Sequence, residues 1–596
     1  MGNQATPNVQ TFPQRIEMKT HCIHLLAVTF CVAAFVSTAI GQTTRETSPT
    51  VVVHDEPLHD IDVRLFGQFL ERPSGSERGI EAAVVPGTHR LQDGVVELLK
   101  AMEIPVVRFP AGTDVDHIDW RDMIDRVPGR DGPRPKTTGK GGDEVSNNFG
   151  YDEYFALRDK LDCQTILVLN LLDGLAKRKE PRQAAIDACG LVAYANAKQG
   201  AKLPEGMTDW PAVRAKNGHA KPFRAQYIQL GNEWWHSSFL NAVKEGTGLT
   251  EAEELAAWYV KVLHTYIGVI REIDPDVELI VDGNMGWGSE GWVLASTVLR
   301  DPYIKRNVNY ITFHRYGPAS MDKIKRDGET VAHEKLRPID WWRIYSSLPG
   351  GFNAEGQNDA IADYFDRAEQ FGYKVACTEW NWNGWGRSRI PEDIGFDWQA
   401  ATGVGAAGFI NGLMRGGKFI RMANQSMLVG EAWRLAAVQV DQEGKVKPHY
   451  NTMAPVTTLY RKHHGPKLLK AELRDVPTYS QPYAVSVYGA VNKIALLDVL
   501  VTASEKAIFV HAINRDLDRE QPLTIDMSKL GPMGKTATVH RIAYPLKANP
   551  RLHPNQNVGE ESHDQIEWAP PKATINLPPR SVTIIELPRA ASKSAQ

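Results

Sequence analysis

Eight short apolar runs, each closing in polar or turn residues and each followed by enough chain for a helix, constrain this sequence more than any other feature. They are Arg64–Glu71, Ile104–Pro110, Gln164–Leu171, Ala225–Glu233, Glu278–Asn284, Val308–Tyr316, Lys374–Trp380 and Lys418–Asn424. Amphipathic stretches such as Gly94–Met102 and Leu255–Ile273 lie between them, which is the βα alternation of a parallel sheet. Eight such units predict a closed (β/α)8 TIM barrel over residues 63–440. A doubly wound sheet is the competing topology. It lacks support because no Gly-rich phosphate turn follows the first run, and polar residues end several strands instead of marking one switch point.

After residue 440 the texture changes. Tyr483–Tyr488, Ile494–Val501, Ala507–Ile513, Ala537–Tyr544 and Ser581–Leu587 read as strands between Gly, Pro and Asn turns, predicting an all-β sandwich over 441–590. Val51–Val53 is too isolated to fold alone, so the segment 50–62 is expected to add a strand to that sandwich. Two domains suit a chain of 596 residues, which is long for a single core.

Residues 1–41 are read as a signal peptide: Lys19 precedes the apolar stretch Cys22–Ile40, and Ala39 and Gly41 suit cleavage before Gln42. The expected location is therefore secreted or periplasmic, without stable membrane association after cleavage. The cysteines left behind, Cys163, Cys189 and Cys377, are an odd set without metal-like spacing and read as buried thiols. With 68 basic and 71 acidic residues and a net charge of -3, the chain has no field for gathering nucleic acid or anionic lipid. An uncharged substrate is expected. The sequence leaves assembly into a homo-oligomer open.

Chemistry enters at two strand ends. The fourth strand closes Gly231-Asn232-Glu233-Trp234-Trp235 and the seventh Thr378-Glu379-Trp380-Asn381. Residues at the C-terminal ends of barrel strands face one mouth, so two glutamates meet there at a carboxyl spacing of roughly 5 Å. That is the arrangement of a retaining glycosidase, in which one carboxyl protonates the leaving oxygen and the other bonds the anomeric carbon. Trp234, Trp235, Trp287, Trp380, Trp382 and Trp385 fall at or beyond strand ends, where sugar faces could lie against their rings. Neither His-x-His nor His-Glu-x-x-His occurs, so no metal and no cofactor is expected.

These motifs, with Phe66-Gly67-Gln68-Phe69-Leu70-Glu71, Val106-Val107-Arg108-Phe109-Pro110, Asn217-Gly218-His219, Phe313-His314-Arg315-Tyr316 and Met422-Ala423-Asn424, resemble glycoside hydrolase family 51, the α-L-arabinofuranosidase family, over about residues 50–588. The resemblance implies a retaining enzyme that removes terminal arabinofuranose from polysaccharides or oligosaccharides such as arabinan. It implies Glu233 as acid/base, Glu379 as nucleophile, Asn232 and Glu71 on sugar hydroxyls, Arg108 and Tyr316 beside Glu379, and His314 as an orienting group.

Two positions depart from the family pattern. Pro-Gly-Gly-Asn is replaced by Pro110-Ala111-Gly112-Thr113, and a sugar-binding Gln by Met427. Thr113, Asp114 or Gln425 could compensate. A same-clan glycosidase with another sugar or an endo mode is the alternative reading, and a non-catalytic carbohydrate-binding barrel is the alternative from another class.

Overall fold

The computed structural model describes residues 48–590 apart from 74–77, 140–141, 143, 235–236, 283–295, 319–322, 348–367, 383–394, 396–397, 432–435, 486–488 and 548–558. The predicted leader therefore lies outside the described residues.

Eight parallel strands close into a barrel in chain order: Gly67–Phe69, Val106–Phe109, Gln164–Leu169, Tyr227–Leu230, Glu278–Asp282, Tyr310–Gly317, Lys374–Trp382 and Ile420–Ser426. All eight predicted strands are present, and a sheet-rich region follows them. Inside the barrel, Val106, Ile166, Tyr227, Ile280, Tyr310, Ala376 and Met422 form one apolar cluster, one residue from each of seven strands. The first strand contributes Gly67, where a Cβ would lie 2.6 Å from Val106 Cγ1. Side chains in a strand repeat every second residue, so the next inward layer contains Arg108, Gln229, Thr312 and Thr378. An apolar plug thus supports a polar floor.

The helical wall follows from its periodicity. Helix Ala252–Ile273 buries Leu255, Tyr259, Val262, Tyr266 and Ile270, the stripe of an amphipathic helix on a sheet. Cys163, Cys189 and Cys377 are all buried and unpaired. Among the described residues no helix is long and apolar enough to cross a membrane.

The last helix packed on the barrel is Met453–Lys462, which buries Met453, Val456, Leu459 and Tyr460. It lies beyond the change of texture at 440, and strands of the C-terminal sheet begin only at Lys467. Nine strands then form one sheet, ordered 560–567, 536–543, 581–588, 507–514, 497–503, 467–474, 50–60, 521–529 and 572–577. Thr50–Asp60 is interior to that sheet, antiparallel to Lys467–Arg474 and parallel to Gln521–Lys529. Val539 and Ile575, from strands near opposite ends, share one apolar core, so a single sheet folds over on itself. The strands absent from the sequence reading include Glu560–Glu567, an exposed edge strand that needs no apolar alternation.

Barrel and sheet are joined through Asp498. Its carboxylate accepts from Arg515 at 2.8 Å and from Arg415, on barrel helix Trp398–Arg415. Trp342 Nε1 donates to the Arg515 carbonyl at 2.8 Å. Burial works to raise the Asp498 pKa, but the two guanidinium groups outweigh it and hold the carboxyl below the ordinary range. A depressed pKa gives stability that is complete above the ordinary aspartate value of about 3.9 and is lost as pH falls below it. Asp498→Ala is expected to cost about 3 kcal/mol, because it strands two cations at an interface. Denaturant unfolding at pH 7 checks the cost, and the difference from wild type should shrink in acid.

Candidate active site

Strict alternation would point only one residue of each neighbouring pair into the barrel, yet both key strand ends present two. At the end of the fourth strand the backbone turns left-handed at Gly231 (φ 77°) and again at Glu233 (φ 44°). Gly231 is required there, since a Cβ would also lie 3.0 Å from the Leu171 side chain. A glutamate with positive φ is a strained conformation of the kind retained at functional sites. Asn232 and Glu233 consequently both reach the interior. On the seventh strand the register against the sixth shifts between Cys377 and Glu379, which pair with Phe313 and His314. This bulge lets Thr378 and Glu379 both face inward.

Glu379 Oε2 accepts from Arg108 Nη1 at 2.9 Å and Oε1 from the Tyr316 hydroxyl at 2.5 Å. His314 Nδ1 lies 2.8 Å from Glu233 Oε1 and 3.6 Å from Glu379 Oε2, and its Nε2 lies 3.0 Å from Thr378 Oγ1. Oxygens of Glu233 and Glu379 and a nitrogen of His314 all lie within 4.8 Å of one another. The two carboxyls remain reachable, with side chains 20% and 13% exposed. Arg108 is completely buried. It donates to Gln229 Oε1 at 3.0 Å and Asn232 Oδ1 at 2.6 Å, and lies 4.4 Å over the Phe69 ring. Those contacts aim a permanent cation at Glu379. The Glu233, His314 and Glu379 set could accept a divalent cation by donor type, but a guanidinium already supplies positive charge there. Gly112 leaves space for the same carboxylate, because a Cβ would stand 3.0 Å from Glu379 Oε2.

Glu71 lies in the same mouth, buried, with Gly112 N at 3.5 Å from its Oε1. Burial first, then the charges of Glu379 and Asp114, push its carboxyl well above the ordinary range. Its protonated form is thereby favoured, and in that form it can donate to a hydroxyl. Thr113 Oγ1 is 3.5 Å from Asn232 Nδ2, close to the position where the family's amide is missing. Asp114 and Gln425 each have a protein partner. Asp114 is locked to Arg72 at 2.8 Å, and Gln425 Oε1 accepts from Thr457 at 2.6 Å on the outer helix.

Two expected sugar platforms are corrected. Trp234 is buried against Tyr259 with ring centroids 4.4 Å apart, and Trp380 against Phe409 at 4.9 Å. Their neighbours Glu233 and Glu379 take the inward direction, so these rings fill the barrel wall. Trp382 is buried too, donating to the Tyr345 carbonyl at 2.6 Å. Trp235, Trp287 and Trp385 lie outside the described residues. Residues the sequence reading missed are Gln229, Thr312, Thr378 and Ser426. Ser426 Oγ is 2.7 Å from the Tyr316 hydroxyl. Their only signal was a polar residue at an inward position of an apolar strand.

The chain is similar to known proteins in sequence and in fold. The sequence model of the α-L-arabinofuranosidase 1 domain matches residues 98–247. A Streptomyces lividans protein named as an intracellular exo-α-(1→5)-L-arabinofuranosidase is 25% identical over 79% of this chain and 64% of its own length. The chain thus spans under two thirds of that relative. A Bifidobacterium longum exo-α-(1→6)-L-arabinofuranosidase is 24% identical over 81% of this chain and 85% of its own. The structure of a GH51 α-L-arabinofuranosidase from Thermotoga petrophila superposes with a TM-score of 0.64 at 20% identity, covering 90% of this chain and 100% of that one. Motifs, architecture and these relatives agree in likening the chain to the α-L-arabinofuranosidases of glycoside hydrolase family 51.

Proposed function

We propose that this chain is a retaining exo-α-L-arabinofuranosidase that removes terminal arabinofuranose from polysaccharide or oligosaccharide side chains. One observation carries the reading: carboxyl oxygens of Glu233 and Glu379 approach within 4.8 Å in one barrel mouth. Double displacement uses a separation of about 5–5.5 Å, whereas inversion needs about 6.5–9.5 Å to admit a water. The choice of sugar draws on the names of the Streptomyces and Bifidobacterium relatives.

In the first step a Glu379 oxygen bonds the anomeric carbon as the glycosidic bond breaks, and the Glu233 proton passes to the leaving oxygen. In the second step Glu233 takes a proton from water, whose oxygen bonds the same carbon and releases the Glu379 carboxylate. Arg108 and Tyr316 each hold one Glu379 oxygen, so whichever oxygen bonds, the other keeps its donor. Asn232 has its Oδ1 occupied by Arg108, which presents Nδ2 as a donor for a sugar hydroxyl. Glu71, in its protonated form, donates to another.

A second reading, a different sugar or an endo mode within the same clan, is favoured by one observation. With Asp114 paired to Arg72 and the Gln425 oxygen bonded to Thr457, Thr113 is the residue among those described that stands nearest to where family members carry an amide. An amide contact to a hydroxyl can be worth about 1–3 kcal/mol. We also propose export, motivated by the leader-like residues 1–41, although the Streptomyces relative's name places that protein inside the cell. Mass spectrometry of the mature N-terminus tests it: a chain beginning at Gln42 supports export, and an intact Cys22–Ile40 segment contradicts it.

On a panel of aryl furanosides, aryl pyranosides and arabinan, release of arabinose is the expected outcome. Turnover of another glycoside alone would transfer the assignment to the second reading. Glu379→Ala should lose about 10⁴-fold or more in turnover. Glu233→Ala should keep activity on substrates with good leaving groups and be accelerated by azide, since protonation matters little there. Activity unaffected by Glu379→Ala would refute the role assignment.

Glu71→Gln tests the proton on that residue. A buried acid with raised pKa costs stability as pH rises from the ordinary glutamate value of about 4.3 toward the folded one. The variant should therefore melt above wild type at pH 7, with the gap closing near pH 4, and it should bind sugar less well.

A further inference from the structure

Away from the mouth, three side chains converge where the barrel's last helix meets the C-terminal sheet. His463 follows directly on helix Met453–Lys462, His540 lies on strand Thr536–Ala543, and Glu586 on the neighbouring strand Ser581–Pro588. One donor atom from each lies within 4.8 Å of the other two. Glu586 Oε2 is 3.5 Å from His540 Nε2 and 3.9 Å from His463 Nδ1. The imidazoles stack with centroids 3.5 Å apart and planes 19° from parallel. We infer that His463, His540 and Glu586 form a site for a divalent transition ion of the zinc type, clasping the barrel to the sheet.

Donor type and spacing support this. Two imidazoles and a carboxylate are a zinc donor set, with bonds of about 2.0–2.2 Å that put tetrahedral donors about 3.3 Å apart. Glu586 Oε2 must close on His540 by a few tenths of an ångström and on His463 by somewhat more. The rings must also open from their stack, which rotation of His463 at the helix end permits. His540 Nε2 is a buried nitrogen with no well-aligned hydrogen-bond partner among the described residues. His563 lies directly across from His540 in the adjacent strand and is exposed. Opposed residues of an antiparallel pair share a face, so His563 is placed to supply a fourth donor.

The three ligands come from both sides of one seam, since Ile542 and Ile584, on the same face of the sheet, pack into the barrel's own core. A bound ion would therefore favour the docked state and raise the melting temperature. The test is calorimetric titration of zinc chloride into the purified protein after chelator treatment and dialysis, with melting followed in parallel. One zinc per chain and a higher melting temperature are expected. Affinity should fall at least tenfold in His463→Ala and His540→Ala and stay unchanged in Glu379→Gln. His463 sits at a partly exposed helix end, so its variant stays informative if His540→Ala misfolds. No uptake by wild type, uptake undiminished by His463→Ala, or loss of uptake in Glu379→Gln would each overturn the inference. The last outcome would place the ion in the catalytic mouth. The readout is binding, so it stands whatever sugar the enzyme cleaves.

Discussion

The arrangement depends on one buried cation. Arg108 exposes no surface and spends its donors on Gln229, Asn232 and Glu379, thereby tying the second barrel strand to the ends of the fourth and the seventh. A guanidinium in such a place is costly unless each donor meets an acceptor. That requirement fixes Asn232 and Glu379 relative to each other before any sugar arrives. The apolar layer from Val106 to Met422 excludes water from below, so the interaction acts in a medium where it is strong. Positioning by a prebuilt polar layer is a main source of catalytic advantage in such sites.

Aiming two residues inward at each strand end means abandoning regular sheet geometry. The left-handed turns at Gly231 and Glu233 and the register shift before Glu379 are the local irregularities that achieve it. They also bring in His314, which touches Glu233 through one ring nitrogen and Thr378 through the other. Glu233 is thus linked to the strand that carries Glu379 by a hydrogen-bonded chain, and Thr312, in contact with Thr378, continues it into the polar floor.

Much of this was legible in the sequence. The eight strands were readable because each is a short apolar run that ends abruptly in polar residues, and Glu233 and Glu379 stood out as charges at such ends. What was not legible depends on the direction in which side chains point. Trp234 and Trp380 looked like sugar platforms because they adjoin the glutamates, but adjacency along a strand places neighbours on opposite faces. The same irregularities that turn the glutamates inward leave the indoles in the wall. Edge strand Glu560–Glu567 was invisible because an exposed strand carries no apolar pattern. Helix Met453–Lys462 extends the barrel past the point where composition changes, since it packs between the barrel and the sheet.

The central claim is a covalent glycosyl-enzyme formed on the seventh strand. Treating the protein with an arabinofuranose-configured cyclitol epoxide, then measuring intact mass and mapping the labelled peptide, tests it most directly. The account predicts one label per chain, carried as an ester on Glu379 and prevented by arabinose. A label on Glu233, or an enzyme that hydrolyses arabinofuranosides with inversion and is never labelled, would contradict it.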